Sequence, residues 1–513
     1  MKYLKPYFFL NTLLFLLLFT FISCRKSNPP KNEEPPSQKV PIVSQFVYDG
    51  LSTYYLWANE MKNKTPKTTD TDPKEYFSSL LYSTDTEHGW SWMTDDVDAL
   101  LAGFSGSPKD FGWSLSLLWA NAEKTQIVGI VQYVYPNTPA AAAGIRRGDI
   151  IEKIAGAYIN NTAGSSSNYN LLFAGNTLNI GLTDKNGENP KTINMTPVII
   201  ETNPVLLDTV YNIGGKKIGY LFYTEFIEEF DNKLYDAFAK FKSAGISDLI
   251  IDLRYNLGGR VTAASYLASL VAPQSAVQNK SVFTILNYNS FLNNYFDSQG
   301  SARSVSLGYT GTAPNPLTAN LNLNKVYVIA TSGSASASEL TTFCLRPYMN
   351  VIHIGENTRG KFTGSWTIHA YDSYNNQAIT IYDPNKLTLT QRNELKKWAM
   401  QPIVSIYSDK DNKNFSQQGY LVPNVPVSSI ENKPSAWKPI GAIQDYMLAT
   451  AITQITGVPV SGAVKPSSVP RSVFSAGTRL FSEKEKMKME SVNLGSPDIP
   501  LEKLKKVFPQ PVQ

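Results

Sequence analysis

Three short segments carry side chains and backbone able to do chemistry. The first is Thr331-Ser332-Gly333-Ser334-Ala335-Ser336-Ala337-Ser338-Glu339, four serines between an apolar run and a helical stretch. A serine at a helix start has its hydroxyl held by a turn, beside amides and a positive helix end that stabilise an alkoxide or oxyanion. Ordinary N-capping by any of the four is the competing reading. The second segment is Asp252-Leu253-Arg254-Tyr255-Asn256-Leu257-Gly258-Gly259. Its paired glycines expose backbone N–H groups and permit close approach, as an oxyanion hole requires. The third is Gly355-Glu356-Asn357-Thr358-Arg359-Gly360-Lys361-Phe362. It approaches a phosphate-binding loop, but Phe362 stands where a magnesium-binding hydroxyl must follow the lysine, so nucleotide binding is set aside.

A serine nucleophile needs a base. The chain has three histidines, His88, His353 and His369, none in an obvious catalytic loop. A lysine in a desolvated pocket can lose its proton near neutral pH and serve instead. Lys361 qualifies if the fold brings it to one of the serines. Ser435-Ala436-Trp437-Lys438 has a Ser-x-x-Lys spacing but lies among prolines, which does not suit the core helix that motif opens.

All three segments follow apolar runs of strand length. Residues 217–222, 249–253, 325–330 and 351–354 are near-continuous hydrophobic runs, as in a buried parallel sheet. Amphipathic helices are expected over residues 231–244 and 337–345. Strands alternating with helices make residues 204–456 an α/β core. Residues 41–110, rich in aromatics at helical spacing, form an expected N-terminal helical region. Residues 111–203 change to short strands and turns, which gives an α+β multidomain chain overall.

Length and composition set the outer limits. A chain of 513 residues is too long for one core. A net charge of +5 gives no electrostatic case for nucleic acid. Residues 1–23 place Lys2 and Lys5 before the apolar run 8–22, the pattern of an export signal. The run ends at Ser23-Cys24 and resembles a bacterial lipoprotein cleavage site. That resemblance implies acylation of Cys24, a lipid anchor on a membrane and a location in the bacterial cell envelope. Residues 24–40, rich in Pro, Lys, Glu and Ser, read as a flexible tether, and 457–513 as a poorly ordered tail. Cys344 is the only other cysteine and sits in an apolar stretch, as a buried structural thiol does.

Two resemblances organise these parts. Ala142-Ala143-Gly144-Ile145-Arg146-Arg147-Gly148-Asp149-Ile150-Ile151 resembles the most recognisable stretch of a PDZ domain. By that resemblance Phe111, Gly112, Trp113, Ser114 and Leu115 are the loop and edge strand that accept a peptide C-terminus. Residues 333–339, followed by Gly360-Lys361, resemble the C-terminal processing, or tail-specific, proteases. The Asp252–Gly259 segment and the preceding PDZ-like region fit the same family in the same order, over roughly residues 42–456.

The family resemblance implies a crotonase-like or ClpP-like α/β protease core with an inserted PDZ-like domain. It selects Ser336, three residues before Glu339, as nucleophile and Lys361 as base, with no cofactor or metal. The Ala337 N–H, with Gly258 or Gly259, would hold the oxyanion, and Glu339 would support the helix start. Two departures stand out. A Gln four residues after the lysine is replaced by Ser365, and an Asp eleven residues after the serine by Pro347. Ser365 or Thr363 is left as a weak orienting partner. The implied substrates are proteins or peptides, met near their C-termini. The alternative from another class is a non-catalytic, peptide-binding lipoprotein on the same fold.

Overall fold

The computed structural model describes residues 39–61, 65–161, 167–300, 303–308, 311–373 and 379–468. The signal segment, Cys24 and most of the expected C-terminal tail lie outside these residues.

The apolar runs become a six-stranded sheet. Its order is Val205–Ile213, Lys216–Tyr223, Asp248–Asp252, Lys325–Ala330, Asn350–Gly355 and Val425–Pro426. The first pair is antiparallel and every later pair is parallel. Because side chains alternate across a strand, each run feeds two cores. Leu221, Leu249, Ile251, Val326 and Val328 face one, and Tyr220, Phe222, Ile250, Tyr327 and Ile329 the other. A sheet buried on both faces explains why these runs lack polar alternation.

Helices cover the first face. Asp231–Ala244, which ends on Gly245 in a left-handed conformation, Val261–Val271 and Ala337–Cys344 pack there. Among the described residues the N-terminal region has the helices Ile42–Tyr54 and Pro73–Leu80, which join the same core, then Ser83–His88 and Val97–Phe104, the last packing in a small cluster with Ala399. A short strand, Trp92–Thr94, pairs with Ala399–Gln401. The second face is covered by the helix Tyr446–Thr456 and by residues of the 111–203 region, Leu118, Ile130 and Tyr133 among them. Past that helix, Val460 and Val464 still pack on the same cluster.

The 111–203 region is a twisted antiparallel sheet with its own core. Trp113–Trp119 lies at its edge and pairs with Ile127–Val134. A further antiparallel sheet, not foreseen from the sequence, brings Thr363–Ser365 beside Ile403–Ser408, whose other edge pairs with Val282–Tyr288. It holds the chain just after Lys361.

Candidate active site

Ser336 begins the helix Ala337–Cys344, with φ 58° and ψ −113°. A non-glycine residue at positive φ outside the left-handed helical well is strained and must be held by its surroundings. Its neighbours do so. Ser334 Oγ donates to the Leu253 carbonyl at 2.7 Å and accepts the Thr331 N–H. Ser338 Oγ donates to the Asn256 carbonyl at 2.8 Å. Both hydroxyls stitch the serine turn to the Asp252–Gly259 segment. Ser332 is exposed. The Ser336 hydroxyl is fully buried; the Glu339 N–H faces it in a capping-box arrangement, but it makes no well-formed hydrogen bond among the described residues. Of the four serines, this one alone is buried with its hydroxyl uncommitted.

Glu339 is fully buried and joins the two halves of the site. One carboxylate oxygen accepts the N–H groups of both Ser336 and Lys361, each at 2.8 Å. The other accepts the Gly360 N–H at 2.7 Å and the Thr358 hydroxyl at 2.5 Å. Burial raises the Glu339 carboxyl above its ordinary range, and these four donors oppose the shift. The expected role, support of the helix start, is therefore too narrow. The same carboxylate fixes the backbone of Lys361.

Tyr407 makes a second link from the opposite side. Its hydroxyl lies 2.8 Å from the Lys361 carbonyl and 3.3 Å from that of Ser336, so it donates to one or the other. Lys361 itself is 1% exposed. The Thr363 hydroxyl, a weak expectation for orienting the lysine, has no hydrogen-bond partner among the described residues. It does not hold Lys361.

The glycine pair closes on Ser336. Gly258 and Gly259 have φ of 114° and 138°, open to glycine alone. A Cβ on Gly258 would stand 2.8 Å from Ser336 Cβ and 3.2 Å from the Ala337 nitrogen. The Gly258 N–H already donates to Asn256 Oδ1 at 2.9 Å. That removes Gly258 as an oxyanion donor and leaves Gly259 and Ala337. The loop is set by a buried ion network. Arg254 forks onto Asp252 at 2.7 Å and onto Asp445 at 2.8 Å, with Tyr220 donating to Asp252. Asp445 in turn caps the helix Tyr446–Thr456.

The histidines stand apart from this chemistry. His353 lies within a strand with Nε2 3.2 Å from the Ala330 carbonyl, and burial lowers its pKa to about 4. Burial lowers His369 to about 4 as well. Cys344 is fully buried, and burial pushes its thiol far up. Among the described residues no cluster of His, Cys, Asp and Glu could hold a metal, and no helix is long and apolar enough to cross a membrane.

In the 111–203 region, Phe111, Trp113 and Leu115 are buried. The Gly112 N–H, expected to meet a peptide carboxylate, donates to Asp110 Oδ1 at 2.8 Å. Ser114 Oγ donates to Gln132. The region is seated on the core through the Gly144–Gly148 turn. Arg147 donates to the Gln132 and Lys438 carbonyls and stacks on Trp437 and on Tyr255 of the oxyanion segment, at 4.3 and 5.3 Å from the ring centroids.

A strained serine before a helix, a buried lysine after the next strand and a glycine pair beside the serine are parts that a serine-type peptidase requires. Comparison with known proteins adds a family likeness. Residues 217–406 match Peptidase family S41, and residues 43–92 match the Peptidase S41 N-terminal domain. These two regions of the chain are thus similar to S41 peptidases. It is 26% identical over 324 residues to a carboxyl-terminal-processing protease of Picosynechococcus, covering 62% of this chain and 70% of that one. It is 24% identical to a second, from Synechocystis, covering 44% of this chain and 47% of the relative. In fold it is similar to the solved structure of a Bacteroides fragilis protein described as an S41 protease. That match has a TM-score of 0.59 and 21% identity over 81% of this chain and 98% of that one. Its substrates are accordingly proteins or peptides.

Sequence reasoning missed Tyr407, Asp445 and the breadth of Glu339. Tyr407 and Asp445 act through contacts far along the chain and leave no local signature. Glu339 was visible as an acid three residues into a helix, the position of a capping box.

Proposed function

We propose that the chain is an endopeptidase that cleaves proteins near their C-termini by acyl transfer from Ser336, with Lys361 as base. The observation that carries this reading is the buried, unpartnered hydroxyl of Ser336, a residue whose backbone N–H shares one Glu339 oxygen with that of Lys361. Neutral Lys361 takes the Ser336 proton as Oγ attacks the scissile carbonyl. The Gly259 and Ala337 N–H groups receive the oxyanion, and Lys361 then protonates the leaving amine. Water, activated in the same way, releases the acyl group and restores the serine.

C-terminal preference is supported by the names of the two cyanobacterial relatives and by the PDZ-like edge strand Trp113–Trp119. With the Gly112 N–H engaged by Asp110, pairing along the edge strand carries more of the recognition than a carboxylate loop. In this proposal Cys24 bears the lipid anchor that keeps the enzyme at an envelope membrane.

Casein cleavage by the mature protein tests the dyad. Ser336→Ala and Lys361→Ala each abolish cleavage while leaving the melting temperature near that of the wild type. Equal cleavage by all three proteins would refute it. If the wild type cleaves nothing but binds peptides with free C-termini more tightly than amidated ones, the chain is the non-catalytic peptide binder.

A further inference from the structure

One buried acid next to this site has no part in the mechanism above. Asp85 lies in the N-terminal helix Ser83–His88, with its side chain fully buried. It accepts the Tyr55 hydroxyl at 2.7 Å, the Ser91 hydroxyl at 2.5 Å and the Ser91 N–H at 2.8 Å. All three donors favour the ionised carboxylate. Such a charge is retained inside a protein only with compensation from a counter-charge or donors.

The surrounding packing leads to Lys361. Ser91 Oγ also accepts the Ile403 N–H, and the Leu56 N–H donates to the Ile403 carbonyl, so the N-terminal region holds both backbone groups of Ile403. Ile403 is paired with Ser365 and Tyr407 bonds the Lys361 carbonyl, so the gripped strand flanks the lysine's loop. Trp90, between the two Asp85 contacts in sequence, packs edge-on against Phe362 at 5.3 Å. Burial raises the Asp85 carboxyl above its ordinary range; the Ser91 and Tyr55 donors oppose that shift, and so, after them, does the nearby positive charge of Lys361.

We infer that Asp85, supplied by the N-terminal region, is the positioning residue that orients Lys361 and stabilises its ammonium as the Ser336 proton arrives. The inference rests on the dyad reading. It supplies a carboxylate in a chain that has Pro347 where the family pattern has an Asp, and it gives the N-terminal region a part in turnover. Asp85 takes up no proton; the proton moves from Ser336 Oγ to Lys361 Nζ, as in a triad whose acid steadies the base. Glu339, whose oxygen accepts the Lys361 N–H, is the other carboxylate close to the lysine, and Tyr55 and Tyr407 are the neighbouring phenols.

The test is the pH profile of kcat for Asp85→Asn, on a fluorogenic peptide, beside wild type, Ser336→Ala and Lys361→Ala. Removing the carboxylate lowers kcat by about 10²-fold, with little change in KM. It also moves the acid limb down by about one pH unit, because Lys361 then loses its proton more readily. Tyr55→Phe, which keeps the shape and removes one donor to Asp85, lowers kcat and moves the limb by less, and it decides the matter if Asp85→Asn fails to fold. A folded Asp85→Asn with kcat within twofold of wild type and an unmoved limb overturns the role of Asp85. A wild-type profile for Tyr55→Phe, where Asp85→Asn does not fold, overturns it too. Activity surviving in Lys361→Ala instead overturns the dyad itself.

Discussion

Two loops leave neighbouring strands of the same sheet, and they treat their polar groups in opposite ways. After Asp248–Asp252, the Arg254 guanidinium is matched on both sides by Asp252 and Asp445. After Lys325–Ala330, the serine turn leaves the Ser336 hydroxyl buried and unmatched. A buried hydroxyl without a partner costs stability, on the order of 1–3 kcal/mol. The first loop is therefore a scaffold and the second holds an uncommitted hydroxyl against it. The strain at Ser336 persists because Ser334 and Ser338 are bonded to the scaffold loop.

The comparison breaks most sharply at Arg254. Arg254→Met leaves Asp252 and Asp445 buried without their counter-charge, which typically costs about 3–5 kcal/mol. Chemical unfolding should show a loss of that size, together with lost activity as the glycine pair shifts. A cost below about 1 kcal/mol would mean that the ion network is not the scaffold.

Glu339 is where scaffold and nucleophile meet, so its replacement separates folding from chemistry. Glu339→Gln turns one accepting oxygen into an NH₂ group that opposes backbone N–H donors. We expect kcat to fall by about 10²-fold, the scale of one lost positioning group in acid–base catalysis. KM should change less, since Glu339 touches the backbone of Ser336 and Lys361 rather than the substrate. Steady-state kinetics with a folded variant measures both.

The same contrast explains what could be read before the structure. The parallel strands were legible because burial on both faces writes continuous apolar runs, and the helix over 231–244 lies where its periodicity put it. Ser336 and Lys361 came from family spacing, since four serines are equivalent by composition. The sheet that holds Thr363–Ser365 was not legible. Its strands are short, lie far apart in sequence and pair with partners that no local pattern announces. Gly258 and Gly259 looked interchangeable as donors. Only the Asn256 side chain, bonded to one of them, tells them apart.

A smaller effect sharpens the contrast from the scaffold side of the sheet. Asp231 opens the helix Asp231–Ala244, is 1% exposed, and has no hydrogen-bond partner for either carboxylate oxygen among the described residues. Burial, followed by the charges of Glu228 and Glu229, raises its pKa to about 8. The folded state therefore keeps a proton that the unfolded chain releases near pH 4. Its contribution to stability is whole below that unfolded value and is lost as pH rises through about 8. From pH 7 to pH 8 the loss from this group is about 1 kcal/mol, and it levels off above pH 9. Asp231→Asn keeps the shape without the ionisation. Its melting temperature should hold across that window while that of the wild type falls. Parallel curves for the two proteins would show that Asp231 is ionised in the fold.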